Sequence, residues 1–194
     1  QKYICTSCEV KFTRKWDWKH HEEVSHERWR KFACPDCNQT FWSDNQFNQH
    51  HRTAHECRKC SHAGSAQVML KKRSAWGCGF CGVLHQNWDE RCNHIAQHYE
   101  SGKTKANWKH SNVIWALLHQ PDIKLTWRAF LLHKFGNRPT PRPRFEWDRK
   151  DSGRSQEITE VTPESPLQDL LEFDGDHRDI KIIIQRAFVL GYKA

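Results

Sequence analysis

The chain has 194 residues, with 31 Lys and Arg against 23 Asp and Glu, for a formal charge of +8. That length suits one or two domains. No run approaches the roughly 20 apolar residues of a membrane span, and no signal-peptide core is visible, which argues against membrane and secreted classes. Nine cysteines interleaved with fourteen histidines favour metal ligation over a disulfide scaffold. The charge is uneven. Residues 1–60 carry 11 basic and 8 acidic groups, residues 61–150 carry 15 and 6, and residues 151–194 carry 5 and 9. A basic body with an acidic tail suits a polyanion such as nucleic acid, with solubility alone as the plain alternative. Ten tryptophans imply either an aromatic core or an interaction surface. Opening on Gln1 rather than Met, the chain reads as part of something longer.

In chain order, the first element is a motif, Y-x-C-x2-C-x3-F-x5-W-x2-H-x4-H, carried by Cys5, Cys8, His21 and His26. It recurs twenty-nine residues later as F-x-C-x2-C-x3-F-x5-F-x2-H-x4-H, carried by Cys34, Cys37, His50 and His55. A CxxC predicts a tight turn between two short strands, which points both thiolates at one place. Two histidines about one turn apart predict a helix face opposite them. Two sulfurs and two nitrogens make a tetrahedral zinc shell. Tyr3, Phe12 and Trp18, then Phe32, Phe41 and Phe47, are the expected wedge between hairpin and helix. Over 3–26 and 32–55 the chain resembles the two-cysteine, two-histidine zinc-finger family. The resemblance implies tandem ββα units whose folding is zinc binding. The expected segments are 1–31 (first unit and connector) and 32–56 (second unit).

Residues 57–100 read as a third, finger-like region with an extra CxxC. Cys78 and Cys81 are followed by His94 and His98 at C-x2-C-x12-H-x3-H. Here His85 and Arg91 stand where the first two units carry aromatics, and Leu84, Trp88 and Ile95 offer a shifted packing set. Trp88, Cys92, Ile95 and Tyr99 form one helical stripe. Cys57 and Cys60 leave three readings open. They pair with Cys78 and Cys81 in a four-cysteine ribbon, they join His62 or another histidine in a separate site, or they are plain thiols. Three zinc ions are expected, with a fourth open. The string from Trp76 through Tyr99, with the tryptophan-rich stretch after it, resembles zinc-finger proteins of filamentous fungi described as transcription factors, from about Cys57 onward.

Residues 101–194 read as a tryptophan-rich helical region. Trp108, Ile114, Trp115, Leu117 and Leu118, then Leu125, Trp127, Phe130 and Leu131, predict two helices divided at Gln120-Pro121, with a stop at Gly136. A basic, proline-rich linker near 137–147 follows, and its Asn137–Arg144 stretch is expected to form neither helix nor sheet. Residues 148–165 are polar and read as loose. Helices are expected at Leu167–Phe173 and Ile180–Leu190, docking through Leu167, Leu170, Leu171, Ile183, Ala187 and Leu190. The fold class is therefore a small zinc-stabilised α+β protein, with tandem ββα fingers followed by a mostly α-helical, zinc-braced domain.

The family resemblance implies which helix positions face DNA. Counting back from the first histidine ligand, positions −1, 2, 3 and 6 are Arg14, Trp16, Asp17 and His20 in the first unit. In the second they are Ser43, Asn45, Gln46 and Gln49. Arg14 suits guanine, Asp17 suits cytosine N4, and the amides suit adenine. Arg28, Arg30 and Lys31 in the connector are candidate phosphate contacts. Trp16 and Trp29 are unusual for a duplex reader and suit an RNA base or a protein partner. In the third unit the same positions, Asn87, Asp89, Glu90 and Asn93, carry two carboxylates that phosphate would repel, so a structural brace is expected. The reading is sequence-specific double-stranded DNA binding by a nuclear transcription regulator. The alternatives are a protein-interaction module using the tryptophan-rich region, or RNA binding. Four protein ligands per zinc leave no open position for catalysis, so neither an enzyme nor a small-molecule substrate is expected. Lys71-Lys72-Arg73 is too short a basic cluster to be an import signal alone.

Overall fold

The computed structural model describes residues 2–155, 160–176 and 178–194. It divides into two compact units, residues 3–72 and 73–194. The segment 57–100, read as one region from sequence, is thus split: 57–72 belongs with the second CxxC motif and 73–100 with the helical region.

In the first unit, hairpin β1 (Tyr3–Ile4) and β2 (Lys11–Phe12) pairs Tyr3 with Phe12. Helix α1 (Lys15–Glu22) follows, buries Trp18 completely, and runs into a π-helical turn, Glu23–Glu27. Tyr3 stacks on Trp18 with ring centroids 5.9 Å apart. The second motif repeats the order with β3 (Arg30–Ala33), β4 (Thr40–Phe41) and α2 (Asp44–Ala54). Phe32 and Phe47 are its buried centre, with Phe41 beside them. The chain then adds a short helix α3 (Ala63–Ala66) and strand β5 (Gln67–Met69). Strand β5 pairs antiparallel with β3, so the sheet order is β4-β3-β5. The connector between the two motifs is therefore partly sheet.

In the second unit, hairpin β6 (Trp76–Gly77) and β7 (Leu84–His85) leads to helix α4 (Trp88–Glu100). Trp88, Cys92, Ile95 and Tyr99 form its buried stripe, as the periodicity predicts. The helices expected at 105–135 are α5 (His110–Leu117) and α6 (Pro121–Phe135), with Pro121 in the first turn and Gly136 ending α6 at φ 76°. The core joins Ile114, Leu117, Leu118, Ile123 and Trp127 to Leu167, Leu170 and Leu171 of α8 (Leu167–Glu172) and to Ile183 and Ala187 of α9 (Ile180–Gly191). Leu190 is half-buried against it. Trp115 and Leu125, grouped with the apolar pattern from sequence, face solvent instead, because their positions fall on the outer sides of α5 and α6.

Two expectations about the connecting stretch are corrected. Arg144 and Phe145 do form a strand, β8 (Arg144–Phe145), paired with β9 (Tyr192–Lys193) after α9. The described part of 148–165 is tied down rather than loose: it holds the short helix α7 (Arg149–Ser152), with Ser152 buried, and Val161 is in the core. Just before it, Trp147 is buried and donates its indole N–H to the Ala187 carbonyl at 2.8 Å. Residues 156–159 of that stretch lie outside the described residues. Among the described residues, no helix is long and apolar enough to cross a membrane.

The two glycines that begin the third CxxC have a packing role. A Cβ on Gly77 would sit 2.4 Å from the Val113 carbonyl oxygen, and one on Gly79 would sit 2.3 Å from the Trp108 indole. The knuckle is thus pressed against the helical core, which explains a glycine pattern that the first two motifs lack. A buried ionic cluster lies nearby. Arg73 reaches Asp169 and Glu172, each at 2.8 Å, and Arg154 reaches Glu172 at 2.6 Å. All but Arg154 are almost fully buried. Arg73, read from sequence only as part of a short basic cluster, is a core residue.

Candidate metal centres

Three groups of four ligand atoms converge: Cys5, Cys8, His21 and His26; Cys34, Cys37, His50 and His55; and Cys78, Cys81, His94 and His98. Within each, all ligand atoms lie within 4.8 Å of one another. Cys8 Sγ lies 3.3 Å from His21 Nε2, Cys34 Sγ and Cys37 Sγ lie 3.4 Å from Nε2 of His55 and of His50, and Cys81 Sγ lies 3.1 Å from His94 Nε2. His94 and His98 bring their Nε2 atoms to 3.1 Å. Zinc about 2.3 Å from sulfur and about 2.0–2.1 Å from nitrogen, in a tetrahedron, sets ligand atoms about 3.3–3.8 Å apart. The donor chemistry and the spacing both fit zinc at the three centres.

The backbone prepares each site. In the first, the Cys5 amide donates to the Val10 carbonyl at 2.9 Å and closes the turn, while the amides of Ser7 and Cys8 aim at Cys5 Sγ from 3.3 and 3.4 Å. Cys34 and Cys78 close their turns in the same way, on the Gln39 and Val83 carbonyls. Gly82, at φ 73°, permits the left-handed step that completes the third turn. The H-x4-H spacing poses a local problem, because five residues of α-helix overshoot one turn by about 140°. The first motif solves it with the π-helical turn, which carries His26. The second ends α2 at Ala54 and places His55 at the cap, φ −118° and ψ 12°, outside helical geometry. The third uses H-x3-H and needs neither device.

Burial pushes the Cys5 thiol up to about 12, with the Glu22 carboxylate adding to the effect. Burial likewise pushes Cys78 up to about 11. A cation at the centre is what would hold these sulfurs as thiolates. Burial also lowers the pKa values of His21, His94 and His98, keeping the rings neutral as ligands must be.

One ring covers the first histidine of each centre. Phe12 lies 5.0 Å from His21, Phe41 lies 4.7 Å from His50, and His85 lies 4.6 Å from His94, centroid to centroid. His85 therefore does the packing work of phenylalanine, and burial lowers its pKa to about 4. Arg91, at the position of Trp18 and Phe47, is buried with its guanidinium 4.8 Å from the Trp88 ring centroid. The apolar pattern broken in sequence is thus repaired by side chains of other classes.

The remaining thiols do not enter a four-cysteine ribbon, since Cys78 and Cys81 group with His94 and His98. Cys57 Sγ lies 3.5 Å from His62 Nε2. Cys60 Sγ lies 3.4 Å from Nδ1 of His51, a residue with no assigned role in the sequence reading. Cys92 is fully buried in the core.

The residues expected to read bases are distributed as follows. Asn45, Gln46 and Gln49 are exposed along one side of α2. Ser43 is not available in the same way: it is buried and its hydroxyl caps the helix by accepting from the Gln46 amide at 3.2 Å. Arg14 is exposed but tied, with Nε and Nη2 on the two Asp17 oxygens at 2.6 and 2.8 Å. Asp17 is thereby committed to Arg14 rather than open to a cytosine. Trp16, 67% exposed, stacks on His20 with centroids 5.1 Å apart and planes within 5°. In the connector, Arg28 lies over Trp42 and Arg30 over Trp29, each 4.7 Å from the ring centroid, and Arg30 is 3.6 Å from Glu23. Lys31 is half-buried in β3, opposite Val68.

Sequence reasoning missed Glu22. It is buried, accepts from the Thr6 amide at 2.6 Å and the Trp18 indole N–H at 3.1 Å, and takes the Thr6 hydroxyl at 2.9 Å. The available signal was the Trp18–Glu22 spacing of four on one helix, which sets an indole donor beside a carboxylate. His51 and the ionic cluster around Arg73 carry no local signal at all. Compared with protein-family models, with curated proteins and with solved structures, the chain finds no match.

Proposed function

We propose that the chain is a zinc-finger DNA-binding protein acting in the nucleus as a transcription regulator. In this reading, residues 3–55 are tandem ββα fingers and the third centre is a structural brace. The single observation that carries it is the exposed amide row Asn45, Gln46 and Gln49 on α2. That row lies on a helix clamped by its own metal centre, as major-groove readout of adenine requires. Arg14 supports it. Asp17 engages two of its five N–H groups and fixes the plane of the guanidinium, leaving three to face a guanine. Each centre offers zinc four protein ligands, so the metals would act in folding rather than in catalysis. At about three base pairs per finger, two fingers read about six, so a unique address requires further fingers or a second copy.

The experiment is selection from a randomised DNA duplex library by the zinc-loaded protein, with a chelated control and a salt titration. A zinc-dependent motif with adenines and a guanine is expected, and Arg14→Ala should weaken it by about 1–3 kcal/mol. Binding without sequence preference would refute the reading. One observation favours the second reading, an RNA or protein partner: the exposed Trp16–His20 stack presents a flat aromatic face. Under that reading Trp16→Ala abolishes binding while Gln46→Ala leaves it unchanged.

A further inference from the structure

We propose a fourth zinc site, built by His51, Cys57, Cys60 and His62, with Asp36 as the residue that orients His51. The first ground is convergence. The ligand atoms of His51, Cys57 and His62 lie within 4.8 Å of one another. Cys57 Sγ is 3.5 Å from His62 Nε2 and Cys60 Sγ is 3.4 Å from His51 Nδ1, beside sulfur-to-nitrogen contacts of 3.1 to 3.4 Å in the three other centres. Two sulfurs and two imidazole nitrogens select zinc over hard cations.

The second ground is the state of His51. Adjacent residues on a helix point about 100° apart, so α2 can offer His50 to one centre and His51 to another. His51 is 6% exposed and stacks on Phe47 at 5.4 Å. Its Nδ1 faces Cys60, and its Nε2 lies 2.7 Å from Asp36 Oδ2. A carboxylate on the far nitrogen fixes the tautomer, with Nε2–H donating to Asp36 and the Nδ1 lone pair turned toward the metal. Asp36 belongs to the Cys34–Cys37 turn of the second centre, so the two centres share a knuckle and a helix. Asn48 Oδ1 accepts from the Cys60 thiol at 3.3 Å, and turning that amide over would present its NH2 to a thiolate instead.

The third ground is what the site would hold. Cys60, Ala63 and Ala66 pack on the Phe32 and Phe47 core, and β5 completes the sheet on β3. Among the described residues, α3 has no buried side chain of its own. A metal clip anchored on His51 supplies what apolar burial does not. It would fix residues 56–69 to the second motif and, through β5, stiffen the connector strand β3.

The test counts zinc by native mass spectrometry on the full chain, purified reduced and zinc-loaded. Four ions per chain are expected for the native sequence, and three for Cys57→Ser/Cys60→Ser and for His51→Ala. Asp36→Asn should keep four ions but release the fourth about 10–100-fold more readily to a competing chelator. Three ions in the native chain, or four retained by His51→Ala, overturns the assignment. So does a mass two daltons low with three ions, which would report a Cys57–Cys60 disulfide instead. None of these readouts depends on whether the chain binds DNA.

Discussion

Glu22 offers a sharp test of how the first centre is held. Replacing it with alanine leaves the Thr6 amide and the Trp18 indole N–H, both buried, without their carboxylate acceptor. Each such loss costs about 1–3 kcal/mol, so the pair costs about 2–6 kcal/mol. Because a unit this small folds only with its metal, that cost should appear as weaker binding, by about 30-fold to about ten-thousand-fold. Glutamine separates hydrogen bonding from charge. Its oxygen can keep both N–H donors and its NH2 can donate to the Thr6 hydroxyl, so the geometry survives. Removing the negative charge also removes one of the effects that raise the Cys5 pKa. Glu22→Gln should therefore bind zinc as well as the native chain or better, most visibly below neutral pH. The assay is a competitive chelator titration followed by residue-resolved NMR of the Cys5–His26 signals, with the second centre as internal reference. If Glu22→Ala changes affinity less than threefold, or if Glu22→Gln is as damaging as alanine, the reasoning fails.

Four further outcomes are expected. Chelating zinc should abolish amide protection in residues 3–55, while α5, α6, α8 and α9 keep theirs in hydrogen exchange, because their core is apolar and extensive. Arg73→Leu leaves Asp169 the Ser155 amide but no guanidinium, and leaves Glu172 only Arg154 among its basic partners here, so urea denaturation should show a loss of about 3–5 kcal/mol; a loss below 1 kcal/mol would mean that the cluster relaxes into water. Gly79→Ala drives a methyl into the Trp108 ring and should cost about 1–3 kcal/mol by thermal unfolding. His110 is lowered to about 4, mainly by burial. Between that value and its ordinary 6.5 the unfolded chain binds a proton that the folded chain refuses. Stability should therefore fall as pH drops through this window, by about 3 kcal/mol, and level off below it. His110→Asn should remove that part of the slope; identical slopes in the two proteins would refute it.

The cysteine and histidine spacings were readable from sequence because a metal knuckle and a helix turn are local objects, set by residues a few positions apart. The same holds for the ends of α6, where Pro121 and Gly136 act on their own backbone. The row Asn45, Gln46 and Gln49 followed from the positions that the finger resemblance implies, whereas the loss of Ser43 to a cap and of Asp17 to Arg14 depended on rotamers that sequence does not specify. Other choices depended on the tertiary structure because the partners are distant in the chain. Arg73 became a core residue only because α8 returned Asp169 and Glu172 to it, and the glycines of the third knuckle matter only where Trp108 and Val113 press on them. His85 and Arg91 looked like breaks in an apolar pattern, and their cavities accept a neutral imidazole and a guanidinium lying on an indole. His51 gained its role from a segment that folds back onto α2. Local geometry thus determined which residues can bind metal, and long-range packing decided which surfaces remain for anything else.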